Sequence, residues 1–185
     1  MWEVLVLVAV VGGGILIYNS LVKLREQTES AWSDIDVQLK RRYDLVPNLV
    51  ETVRAYAGHE RETLESVIQA RSRAMDASGP AERAEAEEAL TNALKSLFAL
   101  SEDYPELRAA ENFRELQSTL SQLEDHIQRA RRYYNAVVRD YNTRIGQVPS
   151  NIVARAFGFS EKEFFEISEG ERATPEVRLE EGPSA

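Results

Sequence analysis

The sequence predicts an all-α protein: an N-terminal transmembrane helix that continues into an elongated antiparallel (up-down) four-helix bundle. Three observations carry that expectation. A charge-free apolar run opens the chain, a heptad seam recurs over two long stretches, and helix breakers are scarce, with 9 Gly and 6 Pro in 185 residues. Period-2 strand patterning cannot generate a seam of this kind.

The apolar run spans Val4 to Tyr18 without a charged residue. From Trp2 to Tyr18 a helix rises ~26 Å, close to the ~30 Å hydrocarbon core of a bilayer. Trp2 and Tyr18 sit where interfacial aromatics belong, and Val4, Leu5, Val8 and Ile15 supply the apolar body. Gly13, with Gly12 and Gly14, suits close helix approach in lipid. A cleaved signal peptide would carry a basic start and an A-x-A cleavage site, yet here Glu3 precedes the run and Tyr18-Asn19-Ser20-Leu21-Val22 follows it. A buried soluble helix rarely accommodates three consecutive glycines. No Lys or Arg precedes the run, whereas Lys23, Arg25, Lys40, Arg41 and Arg42 follow it. The positive-inside rule therefore places the N-terminus outside and the bulk of the chain in the cytoplasm, on a single-pass cell (inner) membrane protein.

The first bundle helix is expected to continue from the anchor along Leu21, Leu24, Thr28, Ala31, Ile35 and Leu39. Interior Pro is more disruptive than Gly, so the break is placed at Asp44, with Asp44 as N-cap and Pro47 in the first turn of a second helix. That helix runs through Gly58 to about Met75; a kinked helix passing through Pro47 is the alternative. Ser78-Gly79-Pro80 reads as a turn. The third helix, Ala84 to Leu100, carries Leu90, Ala93, Leu94, Leu97 and Phe98 as its stripe. The fourth, from an Asp103 N-cap to about Ile145, places Phe113, Leu116, Leu120, Leu123, Ile127, Ala130, Tyr134, Val137 and Tyr141 on one seam. Gly146 and Pro149 end it. The expected domains are a 1–24 anchor, a 25–159 helical bundle and a 160–185 acidic flexible tail, whose eight acidic residues face three basic ones.

The chemistry-bearing residues are few. A net charge of −9 argues against nucleic acid as a partner. The absence of cysteine removes disulfides and thiolate chemistry. A bundle di-iron site needs Glu-x-x-His, but Tyr56 and Leu123 stand three residues before His59 and His126. His59-Glu60-Arg61-Glu62-Thr63 is not H-E-x-x-H, and no phosphate-loop motif is present. Glu60, Glu62 and Glu65 read as a solvated helix face. Lys40-Arg41-Arg42 reads as a helix end with ion pairing, since Arg42 lies 24 residues beyond Tyr18, ~36 Å along a straight helix. No catalytic, metal or cofactor site is expected. Two segments are candidate interaction sites. One is the Asp44-Pro47-Asn48 segment, as a turn presented to a partner. The other is the Tyr134-Asn135 pair, repeated one heptad later as Tyr141-Asn142, either as satisfied core polar groups fixing register or as a partner-binding face.

Taken together, these residues resemble the LemA family. Tyr18-Asn19, Ala31-Trp32, Arg41-Arg42, Asp44-Leu45-Val46-Pro47-Asn48-Leu49-Val50, His59-Glu60, Tyr104-Pro105, Tyr134-Asn135, Tyr141-Asn142, Pro149-Ser150-Asn151-Ile152 and Phe157-Gly158-Phe159 carry the likeness. Leu123-Glu124 stands where the family has Thr-Glu, and Val148-Pro149 where it has Phe-Pro. The resemblance implies an anchored helical bundle without established enzymatic activity. It also implies links to magnetosome membrane formation and proximity to membrane zinc metalloproteases. The resulting expectation is a non-enzymatic, membrane-anchored scaffold or adaptor for protein–protein interaction, its partner a membrane protease or another membrane protein. The alternative is a self-assembling, homo-oligomeric protein that organises or remodels the bilayer.

Overall fold

In a computed structural model that describes residues 1–166, every element of regular structure is helical. The helices are α1 (Trp2–Ala57), α2 (Arg61–Asp76), α3 (Pro80–Leu100), α4 (Pro105–Ala109), α5 (Glu111–Gly146) and α6 (Ser150–Ala156). A 3₁₀ turn, Ser101–Asp103, links α3 to α4.

The two expected seams meet. Leu21, Thr28, Ala31, Ile35 and Leu39 of α1 are buried, as are Phe113, Leu120, Leu123, Ile127, Tyr134 and Tyr141 of α5. Leu21 clusters with Tyr141 and Ile145, Trp32 packs on Tyr134, and Arg42 reaches Glu124, so the two helices run antiparallel as the long stalk of the molecule. The α2–α3 hairpin docks against the second half of α1, with Tyr43 bonded to the Ala74 carbonyl and to Glu87. Gly79 supplies the φ of +80° between these helices, and Pro80 opens α3 as the turn signal predicts.

Two boundaries differ from expectation, each for a local reason. Helix α1 does not break at Asp44; it passes through Pro47 and ends at Ala57. Pro47 has no N–H to give the Tyr43 carbonyl four residues back. Arg71 of α2 replaces it, its Nε donating to that carbonyl at 2.7 Å. The proline therefore leaves an acceptor that docks the neighbouring helix. The corner falls instead at Gly58, where a Cβ would lie 2.9 Å from the Arg54 carbonyl oxygen. The long last helix is likewise divided: Ala110 is extended (ψ 128°) between α4 and α5, and Asp103 lies in the 3₁₀ turn rather than capping a helix.

The segment after Phe159 also departs from the expected flexible tail. Phe165 is buried, and residues 162–165 are bonded along α5. The remainder of that expected tail, residues 167–185, lies outside the described residues.

Candidate functional site

Along the inner half of α1 the buried positions run Ile35, Leu39, Arg42, Val46, Leu49 and Val53, so a guanidinium occupies an apolar seam position. On α3 the stripe Ala84, Glu87, Leu90, Leu94 and Leu97 places a carboxylate at the equivalent depth. The two charges find each other. Arg42 Nη1 lies 3.3 Å from Glu87 and 3.1 Å from Glu124 of α5, and its Nη2 donates to Thr91 Oγ1 at 2.6 Å. The Tyr43 hydroxyl donates to the other oxygen of Glu87. Side chains of Arg42 and Glu87 are only 4% and 6% exposed. Burial raises the Glu87 carboxyl above its ordinary range, against the pull of Tyr43 and Arg42, and burial beside Glu87 pushes the Tyr43 hydroxyl up as well. Each acidic oxygen and guanidinium nitrogen engaged here is directed at a partner within the protein. The cluster thus ties α1, α3 and α5 together at one level. Beside it, α3 and α5 enclose an open cleft of about 620 Å³ lined by Leu94, Phe98 and Leu120, with Lys95 and Arg114 at its edge.

Nearer the anchor, the repeated Tyr-Asn pairs of α5 have a definite task. Asn142 accepts the Lys162 N–H and donates to the Lys162 carbonyl, both at 2.9 Å. One heptad earlier, Asn135 accepts the Phe165 N–H at 2.9 Å and donates to its carbonyl at 3.3 Å. Seven helical residues advance ~10.5 Å, which three residues cover only near full extension. The two asparagines are therefore spaced to hold a stretched backbone running antiparallel to α5. The Tyr134 hydroxyl donates to the Glu163 carbonyl at 2.9 Å, and desolvation raises its pKa to about 12. Tyr141 is buried against α1, its pKa also raised by desolvation. The clamp delivers Phe165 edge-on to Trp32 at 5.7 Å, and Arg131 lies over its ring while donating to its carbonyl at 2.8 Å.

Asp44, Pro47 and Asn48 are exposed on the continuous α1 rather than set in a turn. Asp44 lines a groove between α1 and α5 together with His126. At the α1–α2 corner, the Tyr104 hydroxyl donates to Glu60 and meets His59 Nε2, each at 2.9 Å, and the Glu60 bond raises its pKa.

The anchor residues stand free of the stalk. Trp2, Val4, Leu5, Val8 and Ile15 are all more than half exposed, and nothing approaches Gly13 within 4 Å. This helix is long and apolar enough to cross a membrane, and only 6% of its most apolar window is buried, unlike a core helix. Tyr18 is engaged by protein: its ring lies 4.8 Å from Phe157 and 5.8 Å from Phe159.

Sequence reasoning expected ion pairing at Lys40-Arg41-Arg42 but missed the burial of Arg42 and its partners, Glu87 and Glu124. Its signal was present as opposite charges on apolar stripes of two different helices, a pattern that stable cores tolerate only when the charges pair.

A family model described as "LemA family" matches residues 31–179. The magnetosome protein MamQ 2 of Paramagnetospirillum magneticum is 27% identical over 190 residues, covering 89% of this chain and 70% of that protein. Magnetosome protein MamQ of Magnetospirillum gryphiswaldense is 27% identical over 189 residues, covering 88% and 70%. Protein LemA of Metamycoplasma hominis is 28% identical over 167 residues, covering 86% and 75%.

Proposed function

The chain belongs to the LemA family, and from that premise we propose that it is a non-enzymatic, membrane-anchored scaffold. Its helical body would recruit other membrane proteins, a protease among the candidates, from the cytoplasmic side of the cell membrane. The observation that carries this reading is the continuity of α1: one helix is exposed and apolar at Val4–Leu16, then buries one face from Leu21 to Ala57 as a wall of the folded body. Without a flexible joint, the body moves as one piece with the anchor, which suits presentation of a surface to neighbouring membrane proteins. The buried charged and hydroxyl side chains of Arg42, Glu87 and Tyr43 are engaged in holding helices together. The similarity to magnetosome MamQ proteins supports work at a membrane.

Crosslinking in native membranes, followed by identification of captured proteins, tests the scaffold. A reproducible membrane-protein partner is expected; capture of lipid alone or of no partner rejects it. Orientation is tested separately on this cysteine-free chain. A cysteine added at the N-terminus should react with an impermeant thiol reagent in intact cells, while Ser121→Cys should not.

A second reading, self-assembly that organises the bilayer, is favoured by one feature: a Cβ placed at Gly12, Gly13 or Gly14 would meet no other group within 4 Å, leaving a face open to a second anchor. Large rings or filaments in detergent extracts would favour it over a discrete complex.

A further inference from the structure

At the level where the apolar run ends, the protein widens. Ile17, Leu21 and Leu24 of α1 pack with Tyr141 and Ile145 of α5 and with Val153, Ala154 and Phe159 in and after α6. While Ala154 is buried there, the opposite side of this foot is apolar and bare: Val148 is 78% exposed, Ile152 67% and Phe157 64%. Among the described residues these are the three most exposed large apolar side chains outside the anchor, and they fall within one short stretch, 148–157, which marks an interaction surface. Phe157 is fixed to the anchor itself through its ring contact with Tyr18.

Charge points the same way. The chain as a whole carries −9, yet residues 19–25 and 141–159, the two stretches that build this foot, contain Lys23, Arg25, Arg144 and Arg155 and no Asp or Glu. Lys23 and Arg155 are exposed. Bare apolar side chains accompanied by cations and by no carboxylate are the composition of an element that lies in the headgroup region of an anionic bilayer. The surface is also continuous with the span, since α6 contacts α1 between Ile17 and Leu24.

We infer that the α6 foot, through Val148, Ile152 and Phe157, is a second membrane contact that rests in the headgroup–acyl boundary beside the transmembrane helix, with Arg155 and Lys23 on anionic headgroups. The inference rests on the anchor reading of α1. Two points of contact would fix both the tilt and the rotation of the stalk, which a lone helix leaves free.

The test uses the full chain in vesicles of mixed phosphatidylcholine and phosphatidylglycerol. Single cysteines replace Val8, Ser121, Ile152 or Phe157 in turn and carry a small fluorophore. Spin-labelled lipid should quench positions 152 and 157 roughly threefold or more above position 121, as expected of an interfacial apolar face. Aqueous iodide should reach 121 but not 152 or 157. If iodide quenches 152 and 157 as well as 121 while position 8 remains lipid-quenched, the foot stands in water and the inference fails although the anchor holds. If neither quencher reaches 152 and 157, another protein surface, such as a second copy, covers them, and the inference again fails. Lipid quenching absent at position 8 would defeat the anchor reading itself. The unsubstituted chain gives an independent measurement: photoactivatable headgroup-labelled lipid should mark residues 148–157, and marking confined to residues 2–18 overturns the proposal.

Discussion

The cluster around Arg42 and the clamp around Asn135 both put polar groups into the packed face between α1 and its neighbours, but with different chemistry. At Arg42 a buried cation meets two carboxylates drawn from two other helices. At Asn135 and Asn142 neutral amides meet peptide groups, donor to acceptor and acceptor to donor. Desolvating ions is far more costly than desolvating amides, so the first site is safe only when every partner is present. The second loses one hydrogen-bonded pair at a time. Charge therefore enforces a unique register among three helices, whereas the amides hold the Lys162 and Phe165 backbone through its peptide groups.

The largest expected effect tests that difference directly. Arg42→Met leaves Glu87 and Glu124 facing each other without a cation and should cost about 3–5 kcal/mol in urea unfolding. A loss under about 1 kcal/mol would put the cluster in the class of a solvent-exposed ion pair, below even the clamp.

Next comes the carbonyl freed by Pro47. Arg71→Met should cost about 1.5–3 kcal/mol, the range for a hydrogen bond from a charged donor. In a Pro47→Ala background, where the helix restores its own N–H, the same change should cost less than half as much. Equal losses in both backgrounds would show that Arg71 acts through something other than the proline gap.

Asn142→Ala, which strips the Lys162 peptide of both clamp bonds, should cost about 1–3 kcal/mol, and the loss should be flat with pH because no partner in those two bonds titrates. Glu87 should behave otherwise. Its pKa is raised in the folded protein above the ordinary 4.5, so the native state holds the proton more tightly than the unfolded chain does. The stability of the native protein relative to Glu87→Gln should therefore be greatest below pH 4.5 and decline as pH rises through the folded pKa. A difference that grows with pH would reverse the sign and the desolvation argument with it.

The smallest effect belongs to Asp44, exposed in mid-helix. Asp44→Ala should change stability by no more than about 0.5 kcal/mol. The drop of up to ~2 kcal/mol expected of a lost N-cap would contradict the continuous α1.

Much of this architecture could be read from the residues alone. Charge-free Val4–Tyr18, the 3-4 spacing of the α5 seam and the Gly79-Pro80 turn each act through local chemistry: hydrophobic period, backbone conformation, a missing N–H. The Tyr-Asn heptad was visible as an oddity, since two identical polar pairs on one face imply a shared job. Its ligand was not visible, because the Lys162–Phe165 backbone has no side-chain signature and amides accept any peptide. The break at Gly58 instead of Asp44 was hidden for a different reason. The proline penalty is local, but Arg71, which offsets it, lies 28 residues away by the hydrogen bond it makes.

The sequence by itself therefore determined that the chain is helical, which face of its long helices is apolar, and that the first helix opens long and apolar enough to cross a membrane, since all three depend on neighbours within a turn or two. Only tertiary structure decided where α1 ends, which carboxylates neutralise Arg42, and that residues 160–166 return to α5. Those outcomes depend on groups supplied by other helices: a buried charge or an unpaired carbonyl must find whatever partner the fold brings within about 3 Å.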